Sequence, residues 1–292
     1  MGKREIKSKT GTAVALILFQ SMLYGFGDAI SKAAFEIMPV YSLITARYAI
    51  AFVLLILIYH KTLLKEIKAV SWKVWILPSL CISLGMIFNN IAINCTAATT
   101  AAFLRSLSTI MTPILAFLIY KKRLKKSECI VYVIAVAGLY LLCGRGGLSS
   151  FGWGEVFSLL SALLCAGSLI FGEESLKQMS AGSLTTIQAG FSLILSLLFA
   201  FSQDHGLYFA TANTNVWLII FYMAVACTLV GVLLQNIAME FASAKLIALL
   251  QCACPVLTAL FAFVILGEKL SFAGIIGAAL IILSLVIEII FE

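Results

Sequence analysis

Long apolar stretches, separated by short polar intervals, recur along the whole chain. Ten of them are long enough to cross a hydrocarbon core of roughly 30 Å, which requires about 20 helical residues. The expected spans are 12–33, 40–59, 73–94, 97–119, 127–143, 152–172, 183–202, 215–239, 246–266 and 271–291. Transmembrane barrel strands alternate apolar and polar residues, so unbroken apolar runs of this length favour helices. The pattern therefore predicts an all-α integral membrane protein with ten transmembrane helices.

Composition and charge agree with a membrane protein and indicate its orientation. Hydrophobic residues make up 62% of the chain and charged residues only 11%, a balance that excludes an ordinary soluble surface. Basic residues are concentrated at the amino terminus and in the loops around 61–73 and 121–126, whereas the opposite loops carry only Arg145 and Lys269. Because basic loops stay inside, both termini are predicted to be cytoplasmic, in a multi-pass protein of the plasma (inner) membrane. The net charge of +7 is thus attributed to topology, and no nucleic-acid partner is expected.

The second half of the chain repeats the first. At an offset of 146 residues, 81–124 lies on 227–270 without a gap, and Asn90 falls on Asn236. Such a match over a whole helical hairpin predicts that the two halves share one architecture.

The helices that precede this hairpin match at an offset of 141 residues, where 38–45 lies on 179–186. An odd number of helices in each copy forces the second copy into the membrane upside down, a common construction in transporters. The sequence therefore predicts two inverted five-helix repeats, the first at 1–146 and the second at 147–292.

Three segments carry a family resemblance. They are "SLITARYAIAFVLLIL" in helix 2, "NNIAINCTAATTAAFLRSL" across helices 3 and 4, and "ALLQCACPVLTALFAFVILGEKLSFAGIIGAALIILSLVI" across helices 9 and 10. In these segments the chain resembles the drug/metabolite transporter (DMT) superfamily, specifically its ten-helix proteins built of two EamA domains. The resemblance implies a central cavity lined largely by helices 1, 3, 4, 6, 8 and 9, and it leaves the substrate open.

The first repeat departs from the family pattern in helix 4. Thr109 stands where the second repeat has Pro255, and Pro113 lies one helical turn later. Proline removes a backbone hydrogen bond and kinks a helix, so we expect helix 4 to bend at a different height from helix 9.

Polar side chains within the predicted helices define a candidate substrate-binding site. They are Gln20, Tyr24 and Asp28 in helix 1, Asn89 and Asn90 in helix 3, Arg105 and Ser108 in helix 4, and Gln251 in helix 9. A charge at mid-membrane costs about 2.5 kcal/mol or more on insertion, so these residues should face protein or a wet cavity. Gln251 is the repeat counterpart of Arg105. One of the two matching helices therefore carries a charge at this position, and the other carries a neutral amide.

Asp28 and Arg105 each allow two interpretations. Asp28 could pair with Lys32 at i+4 on its own helix, or it could contact a substrate amine, balance Arg105 or carry a coupling proton. Arg105 could be a structural residue that bonds carbonyls and the amides of Asn89 or Asn90, or it could bind a substrate carboxylate or phosphate through its planar guanidinium.

Three further polar residues are predicted to be structural, and the first is Lys32, as the i+4 partner of Asp28. Arg47 lies in helix 2, which is expected outside the cavity wall. Asn236 recurs at the same position as Asn90, and a repeated amide suits a scaffold that holds helices together.

The polar faces favour a secondary active transporter or exporter that works by alternating access. The expected partners are a small polar metabolite (an amino acid, another zwitterion or an organic anion), the surrounding membrane lipid and, as an open option, a coupling proton. The alternatives are an exporter of cationic or lipophilic compounds, against which Arg105 counts, and a non-transporting membrane scaffold. The sequence shows no catalytic constellation, so no enzyme activity, cofactor or metal is expected. Direction of transport and oligomeric state stay open.

Overall fold

The structure is a computed structural model, and it describes residues 3–96, 98–121, 126–143, 152–203, 205–209, 213–266 and 271–291. Regular structure in these residues is helical throughout, as predicted. The helices are α1 (Lys3–Phe35), α2 (Val40–Ala69), α3 (Trp72–Cys95), α4 (Ala98–Ser106), α5 (Ser108–Tyr120), α6 (Lys126–Cys143), α7 (Trp153–Ser175), α8 (Ala181–Gln203), α9 (Thr214–Tyr222), the π-helical segment Met223–Gly231, α10 (Val232–Phe241), α11 (Ala244–Leu250), α12 (Ala253–Leu266) and α13 (Phe272–Phe291).

The predicted membrane spans coincide with these helices. Within the described residues, nine apolar segments are long enough to cross a membrane, and the shorter apolar helix Glu128–Leu142 lies where the fifth span is predicted. Large apolar side chains on the outside are well exposed, among them Val133 (68% exposed) and Phe272 (80% exposed). An apolar exterior of this kind suits hydrocarbon rather than water, so the fold class predicted from the sequence is confirmed.

Helix packing follows the internal repeat. Helix α3 packs along α7, and α10 packs along α1, which is the equivalent pair when the two halves are exchanged. The α2–α8 and α6–α13 pairs map onto themselves under the same exchange. The two halves therefore interlock along shared helix pairs, which is the pattern of two repeats related by a pseudo-two-fold axis. The division at residues 146 and 147 stays a prediction.

Two glycines allow a close crossing between α6 and α13. A Cβ atom added to Gly277 would lie 2.5 Å from the carbonyl oxygen of Gly138. A Cβ added to Gly138 would lie 2.8 Å from the Gly277 carbonyl oxygen. Small residues at helix crossings let backbones approach each other, and here both positions need glycine.

Two spans are broken into half-helices at nearly equivalent positions of the repeat. The fourth span breaks at Leu107, between α4 and α5. The ninth breaks at Gln251 and Cys252, between α11 and α12, and the repeat offset maps Leu107 onto residue 253. Pro113 lies inside α5 without ending it. The expectation that the two helices bend at different heights stays a prediction.

Hydrogen bonds explain the break in the ninth span. Pro255 has no N–H for the carbonyl of Gln251, which accepts from Cys254 N at 3.0 Å instead. Cys252 N donates to the Leu249 carbonyl at 2.9 Å, so the carbonyl one residue earlier, at Ala248, loses its usual helical donor.

Candidate functional site

Two small adjoining cavities lie inside the helix bundle, and α1, α3 and α4 line both of them. The larger has a volume of about 70 Å³ and is called the amide chamber because Gln20, Gln235 and Gln251 line it. The smaller, of about 30 Å³, is called the charged chamber. Its polar lining is Asp28, Ser31, Arg47, Asn89, Asn90 and Arg105. Tyr24, Met86 and Arg105 line both cavities, so they form the wall between the two chambers.

The three glutamines of the amide chamber bond to one another. Gln235 Oε1 accepts from Gln20 Nε2 at 3.1 Å and from Gln251 Nε2 at 2.8 Å. Gln251 Nε2 also lies 3.4 Å from Gln20 Oε1. The cluster joins α1, α10 and the break between α11 and α12. Ser108, at the start of α5, lines the same chamber, as does Thr109.

Gln235, which lines the amide chamber, is not among the predicted site residues. It is the repeat counterpart of Asn89, which was selected, so the 146-residue offset carried the signal. Both side chains line a chamber, one in each half of the site.

Arg105 and Asp28 form an ion pair at the junction of the chambers. Arg105 Nη2 lies 3.4 Å from Asp28 Oδ2, with the side chains 19% and 34% exposed. Of the partners considered for Asp28, the structure thus brings Arg105 to it. The alternative partner, Lys32, has a side chain that lies outside the described residues.

The two asparagines of α3 line the charged chamber and are more than nine-tenths buried. Asn90 Nδ2 donates to the Met86 carbonyl at 2.7 Å, one turn earlier on its own helix. Its amide is therefore engaged with α3 itself, while Arg105 bonds to Asp28.

Arg47 differs in position from what the sequence predicts. Helix α2 was expected outside the cavity wall, yet Arg47 lines the charged chamber and is only 8% exposed. Its Nε donates to Thr228 Oγ1 at 2.6 Å, within the π-helical segment. Thr228 in turn donates to the Met223 carbonyl at 3.1 Å, five residues earlier, which is the spacing of a π-helix. Helix α2 thus contributes a cation to the site.

Asn236 lies away from both chambers, among α8 side chains. Its Nδ2 donates to Thr185 Oγ1 at 2.8 Å and to Gln188 Oε1 at 2.9 Å, and the residue is fully buried. These contacts tie α10 to α8. They agree with a structural role, which stays a prediction.

Tyr24 is placed by a glycine of the facing helix. A Cβ atom on Gly231 would lie 2.6 Å from Tyr24 Cε1. The repeat carries the equivalent contact, where a Cβ on Gly85 would lie 3.3 Å from the Sγ of Cys165, the counterpart of Tyr24 at the 141-residue offset. The same helix contact therefore holds an aromatic ring in one half and a thiol in the other.

Interlocked inverted repeats, paired broken helices and polar chambers enclosed by apolar helices define the class of the protein, a multi-pass membrane transporter. The chain belongs to the EamA-like transporter family, whose model matches it twice, at residues 11–144 and 152–289. It is accordingly a member of the DMT superfamily.

Two curated relatives are themselves named as transporters. An uncharacterized transporter of Archaeoglobus fulgidus is 26% identical over 271 residues, covering 91% of this chain and 82% of the relative. The riboflavin transporter ImpX of Fusobacterium nucleatum subsp. nucleatum is 27% identical over 203 residues, covering 66% of this chain and 67% of the relative.

A solved crystal structure shares the fold. It superposes with a TM-score of 0.78 at 18% sequence identity, covering 95% of this chain and 96% of that one.

Proposed function

We propose that the protein is a secondary active transporter that moves a small polar metabolite by alternating access. The observation that carries the proposal is the Arg105–Asp28 ion pair, held where two polar chambers meet between apolar helices. Intramembrane charges are costly and mark substrate or ion pathways. The membrane is the plasma (inner) membrane, with both termini cytoplasmic, as the distribution of basic loops favours.

Each polar group has a role in this proposal. Arg105 binds an acidic group of the substrate, because its guanidinium matches a carboxylate in two parallel hydrogen bonds. Asp28 holds a substrate amine or carries a coupling proton. Asn89, Asn90 and Gln251 serve the remaining polar atoms, and the ring of Tyr24 forms an apolar wall.

Alternating access requires contacts that close one end of the bundle and then separate. Such contacts gather where α11 begins, at the end that bears the α2–α3 loop. The Ala244 N–H donates to Glu173 Oε2 at 2.8 Å, and Lys245 Nζ lies 2.9 Å from Glu128 Oε2. These bonds fasten α11 to α7 and α6. Their separation, together with bending at the paired helix breaks, would open the amide chamber at this end.

Riboflavin is the second candidate substrate. One relative is named a riboflavin transporter. In the amide chamber, Gln20, Gln235 and Gln251 supply both donors and acceptors, which suits the imide edge of a flavin ring.

Export of cationic or lipophilic compounds fits less well, because the charged chamber has two arginines in its wall. A membrane scaffold would have no use for polar chambers.

Counterflow in proteoliposomes tests the proposal. Purified protein is reconstituted, and uptake of labelled amino acids, organic anions, quaternary amines and riboflavin is measured against protein-free liposomes. We expect uptake of a polar metabolite that Arg105→Gln abolishes and the exposed-surface control Lys65→Gln preserves. Uptake restricted to quaternary amines, or uptake that Arg105→Gln leaves intact, would contradict it.

A further inference from the structure

The charged chamber carries an excess of positive charge. Among the described residues that line either chamber, three are charged, namely Asp28, Arg47 and Arg105. One carboxylate against two guanidinium groups leaves a net charge of about +1 in a site surrounded by apolar helices. An uncompensated charge is costly within a membrane, so the site is incomplete without an anion.

The two arginines also have hydrogen-bond donors to spare. A guanidinium group presents about five N–H donors. In the described part of the chain, Arg47 bonds through Nε to Thr228, and Arg105 bonds through Nη2 to Asp28. Arg47 is more than nine-tenths buried and lines the charged chamber, and its guanidinium carbon lies 5.5 Å from the centroid of the Tyr48 ring. An acceptor in the chamber would bond the terminal Nη groups of Arg47.

The internal repeat indicates that the fold itself does not require either arginine. Arg47 corresponds to Gln188 at the 141-residue offset, and Arg105 corresponds to Gln251 at the 146-residue offset. Both glutamines are hydrogen-bonded to neighbouring amides, Gln188 to Asn236 and Gln251 to Gln235. The scaffold thus accommodates a neutral amide at both positions, and the cations belong to one half alone.

We infer that Arg47 and Arg105 together bind the anionic group of the substrate, so that the transported molecule is an organic monoanion rather than a zwitterion. The inference rests on the proposed function and narrows its substrate class. Asp28 stays paired with Arg105 as its counter-ion and limits the excess to one positive charge, which a single carboxylate neutralises. The amide chamber receives the uncharged remainder of the substrate, because the described polar groups there other than Arg105 are neutral.

Binding and counterflow of defined probes test the inference. The probes are pyruvate, benzoate and shikimate as monoanions, succinate as a dianion, glutamine and betaine as zwitterions, and riboflavin as a neutral molecule. We expect counterflow of a monoanion, with affinity lowered at least about tenfold by Arg47→Gln and likewise by Arg105→Gln, which is the effect of losing about 1.4 kcal/mol of binding. Arg47→Lys should restore part of the affinity, because it restores the charge.

Two variants separate charge from structure. Lys65→Gln removes one positive charge from the exposed surface and should leave every affinity unchanged. Thr228→Val removes the hydrogen-bond partner of Arg47 but keeps both cations, so monoanion preference should survive it. Folding of Arg47→Gln is judged by size-exclusion chromatography and thermal denaturation. If this variant does not fold, the affinities of Arg47→Lys and Thr228→Val are measured in its place.

The outcomes distinguish this inference from the proposed function. Counterflow of glutamine, betaine or riboflavin that is unaltered by Arg47→Gln would overturn the inference and leave transport standing. Equal affinities for a monoanion and the neutral probe would also overturn it. An absence of counterflow for every probe, in protein that remains folded, would reject both.

Discussion

Thr109 Oγ1 donates a hydrogen bond to the Ala248 carbonyl at 3.0 Å, across the interface between α5 and α11. That carbonyl is the one that loses its helical donor at the break of the ninth span. Thr109 is also the repeat counterpart of Pro255, whose missing N–H belongs to the same break. One repeat thus holds the proline that interrupts a helix, and the other holds the hydroxyl that satisfies the interrupted backbone.

Thr109→Val should destabilise the protein by about 1–3 kcal/mol, because it leaves the buried Ala248 carbonyl without its donor. The measurement is thermal denaturation of the purified protein in detergent. Thr112→Val is the matched control, since Thr112 is equally buried on α5 and bonds the Ser108 carbonyl of its own helix. Equal losses of stability in the two variants would show that the contact between repeats stabilises the protein no more than a hydrogen bond within one helix.

Gly231→Ala should disturb the candidate site without adding any polar group. The new methyl group would collide with the Tyr24 ring, and overpacking of this kind costs about 1–3 kcal/mol. We expect weaker substrate binding, by about tenfold for each 1.4 kcal/mol, in the counterflow assay. Gly85→Ala, which meets Cys165 at 3.3 Å, should have a smaller effect. A larger effect at Gly85 would contradict the assignment of Tyr24 to the wall.

Gln235→Leu should break the glutamine cluster, because Gln235 Oε1 accepts from both Gln20 and Gln251. Two amide donors lose their acceptor, and we expect a loss of about 1–3 kcal/mol in stability together with reduced transport. Gln203→Leu, at the exposed end of α8, is the control and should change neither quantity. Wild-type transport in Gln235→Leu would remove the amide chamber from the pathway.

Asp28→Asn should alter selectivity rather than simply abolish transport. Without the carboxylate, two guanidinium groups remain, and the excess charge rises to about +2. We expect the affinity ratio of succinate to pyruvate to increase at least about tenfold, as measured by competition in counterflow. An unchanged ratio would argue that Asp28 does not set the charge of the site.

Gly277→Ala should weaken the α6–α13 crossing, since the added Cβ would meet the Gly138 carbonyl oxygen. The expected cost is about 1–3 kcal/mol, seen as a lower denaturation temperature. Gly11→Ala is the control, because nothing lies within 4 Å of a Cβ added there. A stability loss at Gly11 as large as at Gly277 would count against the crossing as the cause.

The helices and their duplication could be predicted because both are encoded locally. Apolar length alone marks a membrane helix, and the matched pair Asn90 and Asn236 aligns the two copies. The faces of the helices were harder to predict, because a helix in lipid can be apolar on every side and still turn one residue inward. Arg47 illustrates this, since only the packing of α2 against α8 and the π-helical segment turns its side chain toward the charged chamber.

The break in the fourth span was also beyond the sequence pattern. Pro113 suggested a kink there, but α4 ends at Ser106 and α5 runs through the proline. The break lies beside contacts with the other repeat, such as Thr109 with Ala248, and those partners are 139 residues apart in the chain. Gln235 was not chosen as a site residue for the same reason, since its hydrogen-bond partners are two glutamines on other helices.

The π-helical segment Met223–Gly231 sets the rotational register of everything that follows it in the eighth span. A π-helix turns through a smaller angle per residue than an α-helix. The direction in which Gln235 points around the helix axis therefore depends on the nine π-helical residues that precede α10. Tightening this segment to α-helical winding would turn α10 about its own axis and carry Gln235 away from Gln20 and Gln251. The geometry of the glutamine cluster therefore depends on the winding of a segment to which none of the three glutamines belongs.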